Sequence, residues 1–131
     1  MNKTIIFVCE HGAAKSVVAA AHFNKLAKQN NIAIHAIARG TTPDEELAPP
    51  AVQGLSKDGL SAEDTKPTLL SAEDIKSAVS VISFCELSND LIDAISVEDW
   101  SDTPPISTDY DKARDVILDH LNIYFKELNN K

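Results

Sequence analysis

The first apolar run spans residues 4–8, Thr-Ile-Ile-Phe-Val, a β-branched and aromatic stretch with no polar alternation. Such a run predicts a strand buried on both faces, as in the middle of a parallel sheet. From Lys15 to about Lys28 the positions Val18, Ala21, His22 and Leu26, with alanines between them, recur at helical spacing, and Gln29-Asn30-Asn31 supplies a polar stop. Residues 32–38, Ile-Ala-Ile-His-Ala-Ile-Ala, return to strand patterning. The first third is therefore a strand, loop, helix, strand unit, which joins parallel strands through a right-handed crossover and sets an α/β class.

Arg39-Gly40-Thr41-Thr42-Pro43 is a loop signal, and Pro49-Pro50 opens a helix with Val52 and Leu55 as apolar positions, closing before Gly59. The stretch up to Thr68 is expected to be irregular. Ser71-Ala72-Glu73-Asp74 has the spacing of a capping box for a short helix. Residues 78–84, Ala-Val-Ser-Val-Ile-Ser-Phe, follow as another buried strand with Cys85 at its carboxyl end. After a polar, proline-bearing loop at residues 99–105, one helical stripe carries Tyr110, Ala113, Ile117, Leu121, Tyr124 and Leu128, which predicts a long closing amphipathic helix. Residues 60–64 and 70–74 both read Leu-Ser-Ala-Glu-Asp, but one short echo is not a repeat architecture. No Gly/Ser-rich linker or block of like charge divides the chain, so residues 1–131 are read as a single domain.

Composition narrows the function classes. A length of 131 residues with 44% hydrophobic content is enough to bury a core without disulfides or structural metal. The formal charge of -8 opposes binding to nucleic acid or an anionic membrane, yet it leaves room for a small anion held on backbone N–H groups. The first apolar run ends at Glu10-His11, too short for a signal-peptide core, and no later segment approaches a membrane span. The two cysteines, Cys9 and Cys85, lie far apart and match neither a zinc pair nor a disulfide scaffold, so the expected compartment is a reducing cytoplasm. No metal site or cofactor is expected: His22, His35 and His120 show no ligand spacing with one another or with the cysteines.

Chemistry concentrates at residues 9–16. Cys9 falls at the carboxyl end of the first strand, where open α/β sheets bind ligands, and it faces the start of the next helix. A helix N-terminus and the nearby Lys15 favour a thiolate able to attack phosphorus or arsenic. Gly12 allows a tight loop, Lys15 offers a charge to one oxygen of a bound oxyanion, and Ser16 can donate its hydroxyl to the sulfur. On position alone another reading stands level with this one: a core cysteine, a turn glycine and a solvated lysine.

The segment Cys9-Glu10-His11-Gly12-Ala13-Ala14-Lys15-Ser16, set between strand and helix, resembles the signature of the low molecular weight tyrosine phosphatases and the related thioredoxin-coupled arsenate reductases. In that superfamily a nucleophilic Cys, a run of loop residues, Arg and Ser form a phosphate cradle. Ala38-Arg39-Gly40-Thr41 stands where the family has a Ser-Ala-Gly-Thr type loop, and residues 79–89 are similar to its fourth strand, ending in Cys85-Glu86-Leu87-Ser88-Asn89. The Trp100 loop and Ala113-Arg114-Asp115-Val116-Ile117 resemble the family's C-terminal end. The resemblance implies a three-layer α/β sandwich around a central parallel, four-stranded sheet, of the phosphotyrosine protein phosphatase I-like type. It further implies an oxyanion cradle built from Glu10, His11, Gly12, Ala13, Ala14 and Lys15, with Cys9, Lys15 and Ser16 catalytic. The implied partner is a small oxyanion or phosphomonoester, a phosphoprotein included.

The chain also departs from the family pattern. Lys15 replaces an Arg whose planar guanidinium grips two oxygens at once, and Gly12 replaces an Asn whose side chain helps hold the cradle. The family's general acid is an Asp directly before Pro, where this chain has Thr103-Pro104-Pro105; Asp102 is the nearest carboxylate and Asp99 the next. Cys85 is a candidate redox partner of Cys9 or a buried structural thiol, and with no third cysteine near Leu91 or Ile92 the full arsenate reductase relay is excluded. Arg39 either lies over the pocket or caps the loop at the surface. Three functions follow as expectations: a cysteine-dependent phosphatase, an arsenate reductase, or an oxyanion-binding pseudophosphatase without turnover.

Overall fold

A computed structural model describes residues 3–62, 65–85, 87 and 97–129. Four parallel strands, β1 (Lys3–Cys9), β2 (Ile34–Gly40), β3 (Ala78–Ser83) and β4 (Val97–Asp99), lie in the order β2-β1-β3-β4. The helices are α1 (Lys15–Gln29), α2 (Pro49–Lys57), α3 (Ala72–Ser77) and, closing the chain, α4 (Tyr110–Asn129). The strand resembling the family's fourth is thus third in chain order, paired to β1 through Phe7 and Ile82. Its expected continuation through Glu86, Ser88 and Asn89 lies outside the described residues.

Because β1 is flanked by strands on both sides, its residues from Ile5 to Val8 are fully buried, which is why they read as an unbroken apolar run. Alternate residues serve opposite faces. Ile5 and Phe7 enter the main core with Val18, Phe23, Leu55, Trp100, Ile117 and Leu121, which brings α1, α2 and α4 onto one side of the sheet. Ile6 and Val8 join Val81 in a smaller cluster on the other side. Arg39, which shares that second face with Ile37, reaches Asp74 of α3 at 2.9 Å, so α3 covers the thinner layer. Ser71 caps α3 as the sequence predicts, its hydroxyl accepting from the Asp74 amide while the Asp74 carboxylate accepts from the Ser71 amide.

Two details differ from the sequence reading. Val52 is 40% exposed, and α2 instead buries Ala51, Gly54 and Leu55. The fourth strand is the three-residue β4, which ends on the first residue of the stretch assigned to a polar loop. It is an edge strand with two exposed acidic residues, and its only core-side signal is Val97 opposite Val81.

The order of the strands positions the site. From β1 the chain crosses to β2 on one side and later returns to β3 on the other, so the carboxyl end of β1 lies at the switch point where the connections diverge. A crevice opens at such a point in an open α/β sheet. Cys9 ends β1 there, and Cys85 lies just beyond the end of β3.

Candidate active site

The loop between Cys9 and α1 is held from behind by residues 41–48. The Thr41 amide donates to the Cys9 carbonyl at 3.3 Å, Thr42 to Glu10 at 2.7 Å, Asp44 to His11 at 3.0 Å and Ala48 to Ala13 at 3.0 Å. This strap draws the loop carbonyls outward. A trans peptide sets its N–H opposite its C=O, so the amides that follow those carbonyls turn the other way, toward the hollow above Cys9. Among the described residues, the amides of Glu10, His11, Gly12, Ala13 and Ala14 donate to no protein acceptor. The result is a nest of N–H groups at a helix start, suited to an anion.

Gly12 makes the loop tight in a way other residues would not. Its φ of 61° is left-handed, and a Cβ there would come within 2.9 Å of the Gly40 nitrogen. A Cβ on Gly40 would in turn stand 2.7 Å from the Gly12 nitrogen. At this position the chain packs two glycine backbones against each other.

The hollow has a volume of about 330 Å³ and is lined by Cys9, Glu10, His11, Ala13, Ala14, Lys15, Asp44, Ala48, Phe84, Cys85, Pro105, Ile106 and Ser107. Cys9 lies at its floor, 8% exposed, with Sγ 3.0 Å from the Oγ of the fully buried Ser16. Lys15 opens α1 at the rim, and no described carboxylate comes within ion-pair distance of it. His11, Glu10 and Asp44 are exposed around the mouth; His11 Nδ1 is 3.1 Å from Asp44 Oδ1.

Cys85 lines the same hollow. Burial pushes its thiol up, outweighing the hydrogen bond from Ser83 Oγ. At neutral pH it is a protonated thiol rather than a second nucleophile.

The late loop contributes residues 105–107 to the wall and not its carboxylates. Asp102 is absent from the lining; both its oxygens contact His120 Nε2, at 2.9 and 3.1 Å, and that imidazole stacks on Trp100 with ring centroids 4.6 Å apart. The Ser101 hydroxyl, together with the Ser101 amide that donates to Asp99 Oδ1, holds the Asp99 carboxyl below its ordinary value. Thr103, standing before Pro104, is 2% exposed and also lies off the hollow. Arg39 does not cover Cys9: its guanidinium pairs with Asp74.

Sequence reasoning missed Asp44, whose cue was its place just past the carboxyl end of β2, and the wall at Pro105, Ile106 and Ser107. It also missed a polar cluster behind the site. Asp58 accepts from Tyr110 Oη at 2.7 Å and Arg114 Nη1 at 2.9 Å and stands 3.4 Å from His22 Nε2, so it ties α1, α2 and α4 together. A larger hollow of about 400 Å³ lies between α1, β2 and residues 60–68. It contains no cysteine, and its Asn24 is already bonded to both backbone groups of Ala36, so the smaller hollow holds the chemistry.

Comparison with solved structures places this architecture among known ones. The chain superposes on a YwlE mutant from Bacillus subtilis with a TM-score of 0.82 at 19% identity, covering 98% of this chain and 99% of that one. It superposes on a low molecular weight protein tyrosine phosphatase from T. tengcongensis with a TM-score of 0.79 at 20% identity, covering 96% and 99%. A thioredoxin-dependent arsenate reductase from Corynebacterium glutamicum gives a TM-score of 0.73 at 19% identity over 98% of this chain and 62% of that one. No curated protein matches the chain by sequence. The model of the family described as low molecular weight phosphotyrosine protein phosphatase matches residues 4–115, a span that takes in the cradle, its strap and the Trp100 loop, and the chain therefore belongs to that family of enzymes.

Proposed function

We propose that the protein is a cysteine-dependent phosphomonoester hydrolase. The Cys9 thiolate attacks phosphorus while the bond to the leaving oxygen breaks, and water then cleaves the S–P bond of the phospho-thiol intermediate. The inward amides of residues 10–12 and 14 and the Lys15 ammonium hold the equatorial oxygens, where charge is spread in the transition state. Ser16 donates to the sulfur and makes it a better leaving group in the second step. The observation that carries this reading is the Cys9 Sγ lying 3.0 Å from Ser16 Oγ at the floor of a loop whose amides face no protein acceptor. A phosphorylated aryl group, free or on a protein, is the substrate class we favour, since Phe84 and Ile106 give the hollow an apolar wall.

The test is hydrolysis of an aryl phosphate by the reduced protein across roughly pH 5 to 8, with Cys9→Ser as control. Activity that disappears in the variant supports the thiolate mechanism. Equal activity in both, or none in either, retires it.

Arsenate reduction is the second reading, favoured by one observation: Cys85 shares the hollow with Cys9. Its raised thiol argues for resolution by an external thiol instead. Arsenate-dependent thiol oxidation without phosphate ester hydrolysis would select this reading. Oxyanion binding without turnover, suggested by Lys15 in place of Arg, would show as phosphate affinity with neither activity.

A further inference from the structure

We propose that His11, paired with Asp44, is the general acid of this site; the inference rests on the phosphomonoester hydrolase reading above. In a phosphoryl transfer the attacking and leaving atoms lie roughly in line. Cys9 is at the floor, 8% exposed, so the leaving oxygen points out through the mouth and its proton donor must stand on the rim. Among the described residues, the titratable side chains lining the hollow are those of Cys9, Glu10, His11, Lys15, Asp44 and Cys85. Asp102 is not among them, and its carboxylate is taken up by His120.

Of the rim groups, carboxylates ordinarily have no proton to give near neutral pH, and an ammonium gives its proton up poorly. Imidazole is the side chain suited to exchange one in that range. Asp44 Oδ1 stands 3.1 Å from Nδ1, an ion-pair contact that places a carboxylate beside the ring. Asp44 is itself anchored, since its amide donates to the His11 carbonyl at 3.0 Å, so the loop backbone fixes where that carboxylate stands. The other ring nitrogen, Nε2, is 3.8 Å from Glu10 Oε2, too far for a hydrogen bond, and remains available at the mouth. Lys15 is on the same rim, assigned to the oxyanion, and Cys85 keeps its proton within the hollow.

The two steps balance without any further reactant. As the S–P bond forms and the P–O bond breaks, the electron pair passes to the leaving oxygen, which takes the Nε2 proton and departs as an alcohol or phenol. Neutral His11 then accepts a proton from the attacking water as the new P–O bond forms, the S–P bond breaks and the Cys9 thiolate returns. Asp44 is a positioning residue in this scheme, since it acts through the imidazole.

The experiment compares 4-nitrophenyl phosphate, whose leaving group needs no proton, with phenyl phosphate, whose leaving group does. His11→Asn is expected to lower kcat on both through the water step, whereas kcat/KM, which reports formation of the phospho-thiol intermediate, should fall far more on the second than on the first, by about 100-fold. Asp44→Asn should show a smaller loss with the same selectivity and a shifted pH profile on phenyl phosphate, while binding of phosphate, read as inhibition by inorganic phosphate, stays unchanged. Equal losses of kcat/KM in His11→Asn on both substrates, no loss on either, or the leaving-group selectivity appearing in Asp102→Asn instead would overturn the assignment with hydrolysis intact. Wild-type protein that cleaves neither ester in a Cys9-dependent way would remove the underlying reading and this one with it.

Discussion

Lys15 and Ser16 handle the two charges of the proposed reaction, one at the oxyanion and one at the sulfur. An ammonium meets one oxygen as a point charge, whereas a guanidinium meets two. Lys15→Arg should therefore raise kcat on an aryl phosphate, by about ten-fold if one added charge-assisted hydrogen bond contributes ~1.5 kcal/mol in the transition state. Steady-state kinetics would check this, and a decrease would mean that the loop is shaped around the lysine. Ser16→Ala removes the hydroxyl 3.0 Å from Cys9 Sγ and should slow breakdown of the intermediate more than its formation. A rapid burst of phenol followed by a slow steady rate is the expected record; equal slowing of both phases would argue against that role. These residues were legible in the sequence because the chain itself sets them side by side at a strand-to-helix turn. Asp44 was not, since only the pairing of β2 with β1 brings residues 41–48 behind the cradle.

At the scale of the elements, the cradle depends on β2 as much as on its own loop. Gly40 ends β2 opposite Cys9, and an added methyl there would stand 2.7 Å from the Gly12 nitrogen. Gly40→Ala is expected to push the loop away from the strap and lower both phosphate affinity and turnover, with a loss of stability of about 1 to 3 kcal/mol. Thermal unfolding and phosphate inhibition measured on the same sample would test it; an unchanged inhibition constant would show that the loop holds without this contact. The central strands and the long helices were readable because each buries a face whose period survives in the sequence. Strand β4 was hidden by its length of three residues and two exposed acidic side chains, and α2 was misread at Val52 because Ala51 and Gly54 are too small to mark a buried face. Asp102 seemed nearest to the proline pair in sequence, but the bond to His120 of α4 follows from tertiary packing that no local pattern records.

Across the whole molecule, the Asp58 cluster joins the helices behind the site. Burial pushes the Asp58 carboxyl up, but the Tyr110 hydroxyl and the Arg114 guanidinium outweigh it and hold it below its ordinary value. Burial also holds His22 below the ordinary imidazole value, despite the pull of Asp58. In both cases the unfolded chain takes up protons first on acidification, so the contribution to stability is full at higher pH and is lost as pH falls. The His22 part should fade below roughly pH 6.5 and the Asp58 part below roughly pH 4. His22→Gln is expected to flatten the upper portion of the Tm profile and leave the lower one; an unchanged profile would show that His22 does not govern it. The cradle, its strap and the wall at residues 105–107 come from three separated parts of the chain, and none forms the pocket alone. During synthesis Cys9 is made long before its walls, so the nascent chain carries a thiol without a site, and the proposed turnover can begin only after residues 105–107 have docked. Recovery of activity on refolding is therefore a clock for the final docking event, readable without any spectroscopic label.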